Sequence, residues 1–292
     1  MATKTYKVKQ INAYSGTETA QSNLEAYIKG TVADVGTVSI TNIRNDAFKG
    51  CSSLTTFTSS RDIISIGNSA FEGCTALSTI DINAAETIGE RAFYNCSNLS
   101  LNSNYLNALT IGQSAFYGCS SLSGYISMRG STTIGSDAFA YSGIIGSYVP
   151  SNVYDYAFRN AKNLVIVDLP REFTYNPTGL FSGCSALTTL NGSRYLTSIP
   201  AMMFYNCTSL TSVDISNATD IGLEAFRGCS SLQSITIGKV TTSLNSYTFA
   251  GCTSLTNITY KGTVAQAETV FRNLSNNVPA TQIQCSDGVY TR

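Results

Sequence analysis

Nine cysteines and no histidine occur in this 292-residue chain, and those two facts decide most of the chemistry open to it. Eight of the thiols recur at one position of a repeat: Cys51, Cys74, Cys96, Cys119, Cys184, Cys207, Cys229 and Cys252. Zinc needs four ligands converging tetrahedrally, and neither a linear column nor spacings of 22 and 23 residues supply a Cys-x-x-Cys pair. A disulfide wants Cβ atoms roughly 3.5 to 4.5 Å apart, whereas equivalent residues on parallel segments stacked about 4.8 Å apart point the same way. The eight therefore read as buried packing thiols, each a small hydrophobe. Ser142 and Ala161 hold the same position in two further copies, so a small residue suffices there. Cys285 stands outside the column and reads as a buried structural thiol near the C-terminus.

Lack of histidine removes the commonest general base, the usual partner of a Ser or Cys nucleophile, and the commonest metal ligand. Gly67-Asn68-Ser69-Ala70 and Gly112-Gln113-Ser114-Ala115 begin like a nucleophile elbow but end in alanine, and both are the repeat's own turn. Asp81, Asp168 and Asp214 share an outward position between apolar strand residues. A glycosidase pair must converge on one bond, but these acids fall on separate coils, so they read as a solvated polar face. No phosphate-cradling glycine loop is present. The reading is a non-enzyme with no catalytic, cofactor-binding or metal-ligating residues.

These residues are positioned by internal repetition. Ala-Phe followed by Gly-Cys or a close variant recurs with its aromatic at Phe48, Phe71, Phe93, Phe116, Phe139, Phe158, Phe181, Phe204, Phe226 and Phe249, at spacings of 22 or 23 with a single 19. That period lies inside the roughly 20 to 29 residues of leucine-rich repeats. Each unit adds Leu-x-x-Ile-x-Ile, as in Leu77, Ile80 and Ile82, which alternates like a strand. A second extended segment ends in Ile-Gly, as in Ile66-Gly67 and Ile111-Gly112, where a Cβ would obstruct the turn. One coil cannot bury its Leu, Ile, Ala, Phe and Cys alone, but stacked coils put like residues in columns. The fold class expected is a β-rich solenoid of about ten coils. A helix over 17–29 and another over 264–274 read as caps, with Gln282 to Cys285 as a closing strand, so the expected division is an N-terminal cap at 1–37, the solenoid at 38–260 and a C-terminal cap at 261–292.

Composition excludes several partners. Charged residues are 12% of the chain against a usual quarter, and the formal net charge is zero. A nucleic-acid binder needs a basic face, and a membrane-surface helix needs cations beside an apolar stripe; neither is visible. No stretch approaches the roughly 18 apolar residues of a membrane span, and Met1 to Lys9 lacks the apolar run of a secretory signal. What remains is surface. Thr55, Thr56, Ser78, Thr79, Thr188, Thr189, Thr211, Ser212, Thr256 and Asn257 form an uncharged, hydroxyl-rich face. Tyr94, Tyr117 and Tyr205 follow buried phenylalanines and should project outward, Tyr94 beside Tyr117. Residues 141–180 break the pattern with the short coil, Pro150, Pro170 and Pro177, and with Tyr148, Tyr154, Tyr156 and Tyr175, which mark either a kink or an aromatic patch.

Units such as Leu210-Thr211-Ser212-Val213-Asp214-Ile215 followed by Ile221-Gly222 and Ala225-Phe226-Arg227-Gly228-Cys229 resemble the BspA-like leucine-rich repeats of bacterial and some protist surface proteins. The resemblance spans residues 38–260. It implies a right-handed leucine-rich-repeat coil, a place at the cell surface or outside the cell, and a role in adhesion or recognition of host or extracellular proteins or glycans. A proline common after the family's first strand is mostly missing here. Two alternatives belong to other classes: a virion structural or receptor-binding protein, and a glycan-active enzyme, which would require acids converging in a cleft.

Overall fold

In a computed structural model the described residues are 34–38, 41–101, 103, 105–239, 241, 244, 247–272 and 278–292. The helix expected over 17–29 lies outside them. The chain divides into two compact units, residues 1–144 and 145–292.

The first unit contains β1 (Asp34–Val38), β2 (Asn42–Ile43), β3 (Thr56–Ser59), β4 (Ser65–Ile66), β5 (Thr79–Ile80), β6 (Thr87–Ile88), β7 (Ser100–Leu101), β8 (Tyr105–Leu106), β9 (Thr110–Ile111), β10 (Tyr125–Met128) and β11 (Thr133–Ile134). Two strands per coil build two parallel ladders. One runs β1-β3-β5-β7, and the other runs β2-β4-β6-β9-β11 with Ile43, Ile66, Ile88, Ile111 and Ile134 in register. β8 and β10 pair in parallel.

The second unit contains β12 (Gly146–Tyr148), β13 (Asn152–Val153), β14 (Ile166–Asp168), β15 (Thr189–Asn191), β16 (Ser198–Ile199), β17 (Ser212–Ile215), β18 (Asp220–Ile221), β19 (Ser234–Ile237), β20 (Asn257–Tyr260), helix α1 (Val264–Val270), β21 (Gln282–Gln284) and β22 (Val289–Thr291). β12-β14-β15, β16-β18 and β17-β19-β20-β21 are parallel, while β22 closes on β21 antiparallel. α1 begins in a capping box between Thr263 and Gln266 and buries Ala267 and Val270. Phe271 packs edge-on against Tyr260 at 5.5 Å.

Phenylalanine supplies the core of both units. In the first, Phe48, Phe71, Phe93, Phe116 and Phe139 stack at 5.0 to 5.3 Å with rings within 10° of parallel. In the second, Phe158, Phe181, Phe204, Phe226 and Phe249 stack at 5.3 to 5.8 Å. All ten are at most 1% exposed. Each ring gains burial and offset stacking, worth about 0.5–1.5 kcal/mol per pair beyond area.

The turns carrying these rings form a third hydrogen-bonded ladder. The N–H groups of Asp46, Phe48 and Gly50 donate forward to the carbonyls of Asn68, Ala70 and Glu72 at 2.6 to 2.8 Å, and the coils of Phe71, Phe93 and Phe116 repeat this. Strand-flanking N–H groups donate backward instead, as from Gly67 to Ile43 and Ser78 to Thr55. Pointing the turn amides forward requires left-handed backbone twice per coil. The residue before Ala-Phe has φ of 53 to 56° at Asp46, Ser69, Arg91, Ser114 and Asp137, and the residue after Phe-x is Gly50, Gly73, Asn95, Gly118 or Tyr141, all with positive φ. The alternation of glycine and asparagine beside the cysteine follows from this, since those two residues tolerate the left-handed region best. The Ile-Gly glycines work differently, having no positive φ. A Cβ on Gly112 would lie 2.5 Å from the Glu90 amide, so glycine is there for the close approach of the preceding coil.

Candidate interaction surface

The cysteine column is closed to chemistry. All nine thiols are free and buried. Seven of them, Cys74, Cys96, Cys119, Cys184, Cys207, Cys229 and Cys252, also donate to a backbone carbonyl of the coil before, as from Cys74 to Phe48 at 3.0 Å, Cys119 to Phe93 at 3.1 Å and Cys207 to Phe181 at 3.3 Å. Sequence reasoning saw the small hydrophobe and missed this donor. Ser142 turns instead to the carbonyl of Phe139 in its own coil. Desolvation pushes Cys74, Cys96, Cys119, Cys184, Cys207 and Cys229 far above the ordinary thiol value, so no thiolate forms near neutral pH. Cys285 is 6% exposed and is raised by the same cause.

Two of the three carboxylates fold back on their own turns, and the third is held by the next coil. Asp81 accepts from the Asn83 amide and Asp214 from the Ser216 amide, at 3.1 and 2.9 Å, and Asp168 accepts from the Asn191 side chain at 2.6 Å. Ser69 and Ser114 are left-handed turn residues with φ of 53 and 54°. Among the described residues no group of three His, Cys, Asp or Glu could hold a metal ion.

The hydroxyl-rich face is partly self-satisfied. Ser78 donates to the Thr55 carbonyl at 3.0 Å, Ser120 to Ser97 at 3.2 Å, Thr188 to Val165 at 3.3 Å and Thr219 to Thr197 at 3.0 Å. These side chains add hydrogen bonds between neighbouring coils, a use for Ser and Thr at positions a surface usually gives to Lys and Glu.

A continuous row of larger side chains lies along the outside of the turns in the first unit. Lys49 pairs with Glu72 at 3.2 Å, Glu72 takes a two-pronged contact from Arg91 at 2.5 and 3.2 Å, and the Arg91 guanidinium lies 3.8 Å over the Tyr94 ring. Tyr94 stacks on Tyr117 at 4.8 Å and 10°, and Tyr117 meets Tyr141 at 5.0 Å. The Arg91 contact holds Glu72 down to about 2 from its ordinary 4.5, against the upward pull of burial. Tyr94 and Tyr117 are half-buried rather than projecting freely, because each ring lies on a neighbour. The charged part of the row was not read from the sequence, although Lys49, Glu72, Tyr94 and Tyr117 occupy one repeat position.

In the second unit Tyr205 is half-buried, 6.0 Å from the Arg227 guanidinium, which also lies 5.7 Å from Tyr247 and pairs with Glu224 at 2.6 Å. Tyr148 is half-buried on β12. Tyr156 is a left-handed turn residue whose ring lies against Gly179, where a Cβ would stand 2.3 Å away. Tyr154 is exposed and stacks on Tyr175 at 4.7 Å.

No helix among the described residues is long and apolar enough to cross a membrane. A comparison with curated proteins returned no match. Similar solved structures include a leucine-rich-repeat protein from Bacteroides ovatus (21% identity, 87% of this chain and 82% of that one, TM-score 0.49) and a leucine rich cell surface protein from Faecalibacterium prausnitzii (22%, 84% and 84%, TM-score 0.43). A third is the leucine rich repeat protein of T. pallidum (26%, 70% and 78%, TM-score 0.42). The profile of the BspA type leucine rich repeat region, six copies, matches residues 41–164 and 151–278. With the repeat register, the parallel ladders and the phenylalanine columns in agreement with that match, the chain belongs to the BspA-type leucine-rich-repeat family.

Proposed function

We propose that this chain is a non-catalytic recognition protein, displayed outside the cytoplasm, that engages a protein partner along the outer row of its turns. The observation that carries this reading is the run Lys49, Glu72, Arg91, Tyr94, Tyr117 and Tyr141, in which each side chain is held by the next. Tyr and Arg dominate the energetics of protein interfaces, and side chains already fixed lose less entropy on binding. Tyr205, with Arg227 and Tyr247, is the corresponding patch of the second unit. Tyr154 adds an exposed ring, while Tyr148 and Tyr156 serve the edge of the surface. Extracellular display rests on family membership. The carboxylates, Asp81 and Asp214 capping their own turns and Asp168 held by Asn191, together with the thiols held protonated, support a role without catalysis.

The test is biolayer interferometry of the full chain against immobilised extracellular-matrix proteins. Saturable binding is expected, with the Tyr94→Ser/Tyr117→Ser double variant weaker by roughly tenfold or more at an unchanged fold. Equal affinity in the double variant would remove the row from the interface, and no saturable binding across the panel would remove the adhesion reading.

A further inference from the structure

Regular coils place an isoleucine and a glycine just ahead of the turn, as in Ile134-Gly135 and Ile221-Gly222, and the isoleucine ends a two-residue strand. Before Phe181 those positions hold Asn176 and Pro177, and no strand forms. The Thr174 amide still donates to the Ser151 carbonyl at 3.0 Å, the bond made at this register from Ile64 to Thr41 and from Glu86 to Ile64. Immediately afterwards the chain leaves the ladder. Tyr175 and Asn176 are exposed, and β16 is left in a sheet shared with β18 alone. Between them opens a cavity of about 250 Å³ lined by Glu172, Phe173, Thr174, Tyr175, Asn176, Thr197 and Ser198. Tyr154 stacks on the Tyr175 ring, and the two are 38% and 49% exposed.

The lining selects its ligand by chemistry. No lysine or arginine contributes to it, and Glu172 would repel an anion. Its hydroxyls, amide and carboxylate would be left unpaired by a wholly apolar group. Its volume falls below the roughly 300 Å³ at which drug-sized pockets begin. A neutral ring with many hydroxyls and one C–H face meets all these conditions, because the C–H face packs on an aromatic ring while the hydroxyls exchange hydrogen bonds with Asn, Glu, Ser and Thr. We propose that this interruption of the repeat is a subsite for a single neutral sugar ring of a glycan, with Tyr175, backed by Tyr154, as its stacking platform. The site is separate from the Tyr94 and Tyr117 row and goes beyond the protein-recognition reading.

Saturation-transfer NMR on the full chain with the methyl glycosides of glucose, galactose, mannose and N-acetylglucosamine tests it. Contact with at least one glycoside is expected, weakened by roughly tenfold in Tyr175→Ala and in Asn176→Ile/Pro177→Gly, which restores the repeat consensus and closes the cavity. Tyr175→Phe should keep the contact, and Tyr94→Ser/Tyr117→Ser should leave it untouched even if protein binding is lost. The proposal fails if none of the four glycosides makes contact, if both cavity variants bind as well as the parent, or if the Tyr94→Ser/Tyr117→Ser pair abolishes binding.

Discussion

Phe116 lies fully buried between Phe93 and Phe139, its ring 5.3 and 5.2 Å from theirs. Truncating it removes transfer energy, leaves a cavity and breaks two stacked pairs, so Phe116→Ala should cost about 3–5 kcal/mol. A thermal melt within a degree or two of the parent would contradict that. Glu72 offers a second test at this scale. Its folded carboxyl sits at about 2, below the ordinary 4.5, so its ion-pair contribution is complete above the ordinary value and is lost as pH falls toward the folded one. Glu72→Gln should therefore cost about 1–2 kcal/mol at pH 7 and much less near pH 3. Denaturant melts of both proteins across that range measure the difference, and a gap independent of pH would show that the contact is not electrostatic.

Among the elements, the cysteine column makes the most distinctive prediction. Below about pH 9 the thiols are protonated whether folded or unfolded, and the column has no pH dependence. At higher pH only the unfolded chain releases these protons, so stability should fall by about 1.4 kcal/mol per pH unit for each strongly shifted thiol. Six such thiols predict a steep alkaline loss. Cys119→Ala/Cys207→Ala should make it shallower, and an identical slope in the variant would refute the assignment. How legible each element was depended on whether it repeats. Phe and Cys columns, two strands per coil and the stretch taken by α1 are all periodic or patterned, and residue spacing placed them. The Glu72–Arg91 contact joins two different repeat positions through long side chains, and the hydroxyl-to-carbonyl bonds depend on the stacking geometry, so neither left a local signal. The lost strand before Phe181 did leave one, Asn176-Pro177 in place of Ile-Gly, masked by the prolines and tyrosines around it.

For the molecule as a whole, each coil is stabilised mainly by its neighbours, so an end without a neighbour is a liability. In the second unit β20 is covered by β21, β21 by β22, and α1 with Phe271 packs beside Tyr260. A chain ending at Tyr260 should present the bare β20 edge and self-associate. Size-exclusion chromatography with light scattering against the full chain checks this, and a monodisperse truncation with an unchanged melt would contradict it. The forward-pointing turn amides carry one more consequence. From the Phe48 coil to the Phe116 coil, the N–H groups of the phenylalanine and of the residues two before and two after it find their acceptors in the coil that follows, so a chain cut after any of these turns would leave those donors facing water. Each such coil therefore completes the hydrogen bonding of the one before it.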